Sequence, residues 1–192
     1  MTADSWRSLR AAGVTTLVDL RNEAERARMA SDPDVEASVT AGLDVIAAPT
    51  EVPDDPVFRQ VCGPWLDHPR SYPDNLRLFP KLASVAFGAI ADAKGSVLIH
   101  CSGGRDRTGM VTAVLLSLSG VTAEAIAADY ARAYRAAAQH SQARSEPAAI
   151  AGAVRERTSS LLEWLAEFDA AGYLVNAGMS EESVARLAAR LL

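Results

Sequence analysis

The sequence predicts an α/β fold: an αβα sandwich with a short, mostly parallel central sheet, helices on both faces and a helical C-terminal part. Three observations predict it. In the first half of the chain, β-branched and apolar runs alternate with stretches of helical periodicity, the pattern of a parallel sheet with crossover helices. The run Ser96-Val97-Leu98-Ile99-His100 is apolar through its middle, as a strand in the centre of a parallel sheet must be. Beyond Thr108 the periodicity is helical to the end of the chain.

The elements follow in order. Asp4 or Ser5 is placed to cap a first helix that Gly13 ends, and residues 14–20, β-branched and apolar, read as a buried strand. A second helix is predicted over 22–30. Residues 31–40 are polar with a proline, and 43–47 form a second strand that Pro49 terminates. Residues 50–74 carry Pro53, Pro56, Pro64, Pro69 and Pro73, which predicts a long irregular segment with at most short helices. Segments of that length in compact domains tend to be functional. Helical periodicity resumes over 75–93, restarting at Pro80, with Gly95 as a C-terminal cap before the strand at 96–100. A helix over 108–119 is closed by Gly120, and Thr122 caps another that runs to about Ala137. Residues 143–171 and 180–191 complete the set, with Gly172 and Gly178 as punctuation.

The 192 residues, 49% hydrophobic and 22% charged, suffice for one domain spanning 1–192 with its own core. A net charge of −5 gives no general attraction to nucleic acid or anionic lipid, so neither a nucleic-acid partner nor stable membrane association is expected. The longest apolar stretch, 110–118, is interrupted by Thr112 and Ser117 and falls short of the roughly 20 residues of a membrane span. The first six residues have neither a basic nor an apolar signal region, which makes the cytoplasm the expected compartment. Cys62 and Cys101 are too few for a disulfide framework.

Chemistry concentrates in Val97-Leu98-Ile99-His100-Cys101-Ser102-Gly103-Gly104-Arg105-Asp106-Arg107-Thr108-Gly109. A strand-to-helix loop aims successive backbone N–H groups into one concavity, and the helix dipole adds positive potential there, which suits a tetrahedral dianion. Gly103 and Gly104 supply positive φ and close backbone approach. The same field favours the anionic, nucleophilic form of a thiol, the position Cys101 holds. Arg107 follows Cys101 after five residues, so the loop can fold back and present a guanidinium fork to two phosphate oxygens.

The run Cys101-Ser-Gly-Gly-Arg-Asp-Arg107-Thr-Gly resembles the C-x-x-x-x-x-R phosphate loop of cysteine-dependent tyrosine and dual-specificity phosphatases. With His100 it is similar to the HC-x-x-G-K-D-R-T-G loop of a bacterial tyrosine-phosphatase subfamily, some members of which also act on phosphoinositides. Val18-Asp19-Leu20-Arg21 with Glu23 or Glu25 resembles that subfamily's DLR-x-x-x-E strand end, Gly120-Val121 with Asp129-Tyr130 its GV…DY helices, and residues 172–191 its C-terminal helices. Two departures stand out: Arg105 replaces the lysine after Gly104, and the early strand and Arg-Ser dipeptide that precede the first helix in that subfamily are not seen, so the domain is expected to lack an N-terminal strand segment.

The resemblance implies hydrolysis of phosphomonoesters on proteins, phosphotyrosine first, with phosphoserine, phosphothreonine or phosphoinositide substrates also in range. Cys101 attacks phosphorus, Arg107 and the loop amides of Ser102, Gly103, Gly104, Arg105 and Gly109 hold the phosphate, Thr108 assists the departing thiolate, and His100 orients the loop. Asp106 is the first choice as general acid, with Asp54 or Asp55 as alternatives on a separate loop. A catalytically silent phosphate-binding module is the rival reading. Arg21 suits substrate contact and a structural pair with Asp19 equally; Asp129 and Tyr130 suit helix packing, and Cys62 suits a spectator thiol. Trp65, Tyr72 and Phe79 either cover the pocket or pack beneath the loop. His68 and His140 lack partners at ligand spacing, so no metal is expected, and no cofactor either.

Overall fold

The computed structural model describes residues 2–140 and 146–191, without the side chains of 139 and 140. The predicted helix start at Ala143 and the side chain of His140 lie outside the described residues. The chain opens with α1 (Ala3–Ala11), which Thr2 caps rather than Asp4 or Ser5: the Thr2 hydroxyl accepts the Ser5 N–H at 3.3 Å. Asp4 instead stands in the first turn, where a carboxylate suits the helix dipole, paired with Arg7 at 2.6 Å.

Three parallel strands form the sheet, in the order β2, β1, β3, with β1 (Val14–Asp19) between β2 (Asp44–Ala47) and β3 (Ser96–His100). Burial explains the order: Thr16, Leu17, Val18 and Asp19 of β1 are covered, whereas edge strand β2 leaves Val45 exposed. Asp19 pairs with Ala47 on one side and His100 on the other, so the three strands end together. The Leu20 N–H still reaches the His100 carbonyl and the Ala48 N–H the Asp19 carbonyl, both at 2.9 Å. Arg21, Thr50 and Cys101 therefore leave the sheet at one edge, the usual place for ligands in open α/β sheets.

The helix predicted over 22–30 is a single turn, α2 (Glu23–Arg26). A capping box between Asn22 and Glu25 starts it. Asp32 then accepts the Met29 N–H at 2.8 Å and bends the chain away, a local competition that Asp side chains often win against a weak helix. Another single turn, α3 (Ala37–Thr40), precedes β2.

The segment predicted to be irregular with at most short helices is a series of short helical pieces: α4 (Pro56–Val61), two 3₁₀ turns at Gly63–Trp65 and Pro69–Ser71, and α5 (Tyr72–Leu78). Each piece carries a proline at its start, where a missing N–H costs nothing, so the prolines begin helices here rather than breaking them.

α6 (Pro80–Asp92) buries Ala83, Ala86, Phe87 and Ile90. Then come α7 (Asp106–Leu118), starting two residues earlier than predicted, α8 (Ala123–His140) and α9 (Pro147–Leu165). The predicted single helix to 171 breaks after Leu165 because Asp169 caps a new one, α10 (Ala170–Asn176), through the Gly172 N–H at 2.9 Å. Gly172 thus lies inside a helix rather than between two. α11 (Glu181–Ala189) closes the chain, and its Leu187 joins Leu174, Val114, Phe87 and Val18 in one core.

Candidate active site

The site grows out of the junction between β3 and α7. Cys101 is the first residue past the strand and is 6% exposed. Of the two glycines expected to supply positive φ, Gly104 alone does so, at +62°. Asp106, Arg107 and Thr108 form the first turn of α7, so their side chains issue where backbone N–H groups lack intrahelical acceptors and the dipole is positive. Beneath this turn the Tyr72 hydroxyl donates to the Asp106 carbonyl at 3.1 Å. A Cβ on Gly109 would stand 2.9 Å from that hydroxyl, which is why the position needs glycine.

A cavity of about 460 Å³ opens over the loop, lined by Cys101, Gly103, Arg105, Asp106 and Arg107 together with Glu51, Leu66, Asp67 and Ala137. Gly104, Thr108 and Gly109 border a separate small cavity behind the loop, between α7 and α8, with Asp129 and Tyr130. The Thr108 hydroxyl is buried there without a hydrogen-bond partner. Ser102 is exposed at the loop tip. His100 lies behind Cys101, its Nδ1 3.3 Å from the Cys101 carbonyl and its Nε2 3.8 Å from Asp19.

Arg107 is held by carboxylates from two other segments. Glu25 meets it fork to fork, at 2.5 Å to Nη1 and 2.6 Å to Nη2, and Glu51 stands 3.4 Å from Nη1. The hydrogen bonds from Arg107 hold the Glu25 carboxyl below its ordinary range, and Glu25 in turn raises the guanidinium further above neutrality. Arg21 stands one step back. Its Nε and Nη2 bond Asp19 at 2.9 and 2.7 Å, and its Nη1 donates to the Glu25 carbonyl at 3.2 Å, so it braces the carboxylate that braces Arg107. Burial pushes the Asp19 carboxyl up, but the Arg21 hydrogen bonds outweigh it and the net shift is downward.

Asp106 differs from its neighbours. Burial, and then the negative charge of Glu51, push its carboxyl from 3.8 to about 7, and its Oδ1 has no hydrogen-bond partner. Glu51 is itself raised by burial and is held by Asn75 at 3.4 Å. Replacing Glu51 by glutamine removes one cause of the Asp106 shift, so the Asp106 carboxyl, followed by NMR titration, should ionise at lower pH. A titration that stays in place under Glu51→Gln shows that the two carboxyls do not communicate.

The alternative acids are placed elsewhere. Asp54 is exposed, pairs with Arg59 and lines a neighbouring groove with Glu23 and Glu25. Asp55 caps α4 by accepting the Phe58 N–H at 2.8 Å. Cys62 is fully buried, and burial pushes its thiol up to about 11, which suits a packing role and no thiol chemistry. Of the three aromatics, Tyr72 packs beneath the loop, Trp65 carries the Arg70 guanidinium at 4.2 Å, and Phe79 packs on Phe58. Glu51 and Asp67 are cavity residues that sequence reasoning missed. Glu51 was signalled by its place just past β2, on the edge where Cys101 also emerges. Asp67 carried no sequence signal.

Among the described residues no group of three or more His, Cys, Asp or Glu side chains is arranged to hold a metal, and no helix is long and apolar enough to cross a membrane. Comparison with known proteins matches residues 1–192 to the model of the tyrosine phosphatase family. A curated relative, a tyrosine-protein phosphatase of Nostoc commune, is 29% identical over 214 residues, an alignment that covers 96% of this chain and 68% of the relative.

Proposed function

Because the chain belongs to the tyrosine phosphatase family, we propose that it hydrolyses phosphomonoesters, phosphotyrosine on proteins foremost, through Cys101 and a thiophosphoryl-enzyme intermediate. The observation that supports this best is the meeting of Cys101, Arg107 and an Asp106 that keeps its proton to about neutral pH, in one cavity at the N-terminus of α7. The Cys101 sulfur attacks phosphorus, the ester P–O bond breaks, and Asp106 gives its proton to the leaving oxygen. Water then attacks the thiophosphate, Asp106 takes the water proton, and the S–P bond breaks to release orthophosphate.

Charge on the transferring oxygens is met by the loop amides and by Arg107. Glu25 occupies the Nη1–Nη2 end of that guanidinium, which leaves the Nε–Nη2 side of a five-donor fork for phosphate. In this reading Glu25 and Arg21 are positioning residues, His100 steadies the Cys101 carbonyl, and the Thr108 hydroxyl turns to the departing thiolate. Leu66 and Ala137 give the cavity apolar walls that suit an aromatic ring. The order His100-Cys101-x-x-Gly104-Arg105-Asp106-Arg107-Thr108-Gly109 supports a reading within the bacterial subfamily whose loop is HC-x-x-G-K-D-R-T-G, with Arg105 departing from its lysine. Phosphoserine, phosphothreonine and phosphoinositides present the same dianion, and their ranking against phosphotyrosine is an experimental outcome.

The test is phosphate release from a phosphotyrosine peptide in the presence of EDTA, paired with mapping of iodoacetate modification. Turnover should persist in EDTA, and Cys101 should be alkylated and protected by inorganic phosphate while buried Cys62 stays unmodified. Protection without any turnover from a folded chain overturns the enzyme reading in favour of a silent phosphate-binding module.

A further inference from the structure

We propose, building on the phosphatase reading of the same cavity, that Asp67 sets substrate selectivity: by holding the Arg105 guanidinium it withholds the loop's second cation and turns away substrates with another negative group beside the scissile phosphate. Two arginines line the cavity. Arg107 belongs to the transferring phosphate, so Arg105 is the cation that a neighbouring phosphate or carboxylate on the substrate would reach. Asp67 already takes it. Arg105 Nε donates to Asp67 Oδ1 at 2.7 Å and Nη2 donates to Oδ2, a fork-to-fork pair that satisfies the guanidinium in the way a phosphate would.

The surroundings fix this pair in place. The Arg105 guanidinium lies over the Tyr134 ring at 5.2 Å, and Arg157 of α9 lies over the same ring at 4.8 Å. Arg157 also donates to the Asp67 carbonyl at 3.3 Å, so the backbone that carries the carboxylate is tied to the helical part of the domain. Among the described residues Asp67 is the one non-glycine with positive φ, at 67°. Aspartate and asparagine tolerate that conformation better than other side chains do.

Charge at the cavity points the same way. Beside Asp106, which keeps its proton to about neutral pH, two guanidiniums face the two carboxylates of Glu51 and Asp67. The helix amides and Arg107 serve one phosphate, and of the two arginines among the described residues that line the cavity, Arg105 is held by Asp67 and Arg107 by Glu25. The pair is 29% and 42% exposed at its two side chains, open enough for a substrate anion to compete, and an exposed pair resists such competition only modestly. The substrate class that fits is a singly phosphorylated aromatic ester, its ring against Leu66 and Ala137, with no anionic neighbour at Arg105.

The test is calorimetric titration of the full chain carrying Cys101→Ser to block turnover, with phenyl phosphate and with inositol 3,4-bisphosphate, whose phosphates are adjacent. Asp67→Asn removes the charge and keeps a side chain suited to positive φ. It should raise affinity for the bisphosphate about tenfold relative to phenyl phosphate, and adding Arg105→Gln should cancel that gain. An unchanged ratio, or a gain that survives without Arg105, overturns the proposal. The fraction of folded protein alters the stoichiometry of each titration and leaves the affinity ratio intact. Hydrolysis by the unsubstituted chain is read separately: its absence refutes the phosphatase reading, and the binding ratio still judges Asp67.

Discussion

Cys101→Ser should abolish turnover, by on the order of 10⁴-fold or more, while phosphate and vanadate should still bind. The two side chains differ by one atom, so the loop keeps its shape: Gly104 retains its positive φ, Arg107 stays between Glu25 and Glu51, and the first turn of α7 still presents its amides. What changes is the nucleophile. A serine hydroxyl stays protonated at neutral pH and is a far weaker nucleophile than a thiolate, and the nearby His100 faces the Cys101 carbonyl and Asp19. Binding measured with the same preparation separates loss of chemistry from loss of fold. Turnover within tenfold of the unsubstituted chain assigns the nucleophile elsewhere, and Cys62 is too deeply buried to take the part.

The sequence made the loop legible because its parts are contiguous. Strand, thiol, glycines, arginine and helix start lie within thirteen positions, and each follows from local preferences that tertiary packing leaves alone. The fold class was legible for a similar reason: β1, β2 and β3 are short apolar runs bounded by helices, and parallel pairing follows from that alternation. What stayed hidden was long-range. Glu25 and Arg107 are 82 positions apart and Asp67 and Arg105 are 38 apart, so no spacing rule joins them. Glu25 appeared only as a motif position, Glu51 and Asp67 not at all, because an acidic residue in a proline-bearing segment reads as solvated surface until the segment folds over the loop. The prolines limited that segment to short helices, but composition did not show where each would start: Pro56, Pro64, Pro69 and Pro73 stand where a helix begins and lose no hydrogen bond. The same folding that hid Glu51 gives Asp106 its character, because a carboxyl at a helix N-terminus beside two arginines would otherwise ionise readily.

That character makes Asp106→Asn the most informative substitution after the nucleophile. A general acid must hold its proton, so the step it serves fades as pH rises through about 7. Asparagine should lower kcat by roughly 10²- to 10³-fold for alkyl phosphates and less for p-nitrophenyl phosphate, whose leaving group departs unaided. The alkaline limb near pH 7 should vanish with it, while Asp54→Asn and Asp55→Asn keep the limb. Stability should move in the opposite sense. The folded chain binds a proton at Asp106 that the unfolded chain releases near 3.8, so between about pH 4 and 7 the wild-type fold loses stability as pH rises. Over that span the loss is at most on the order of 4 kcal/mol, shared with the Glu51 and Arg107 interactions. Asparagine carries no such slope. The variant should therefore melt close to the parent below pH 4 and higher than it at pH 8, while being the poorer catalyst at both. A variant that loses activity and stability together across the whole pH range leaves Asp106 as a structural residue at the helix start. A limb that survives Asp106→Asn and disappears in Asp54→Asn moves the acid to the loop after β2.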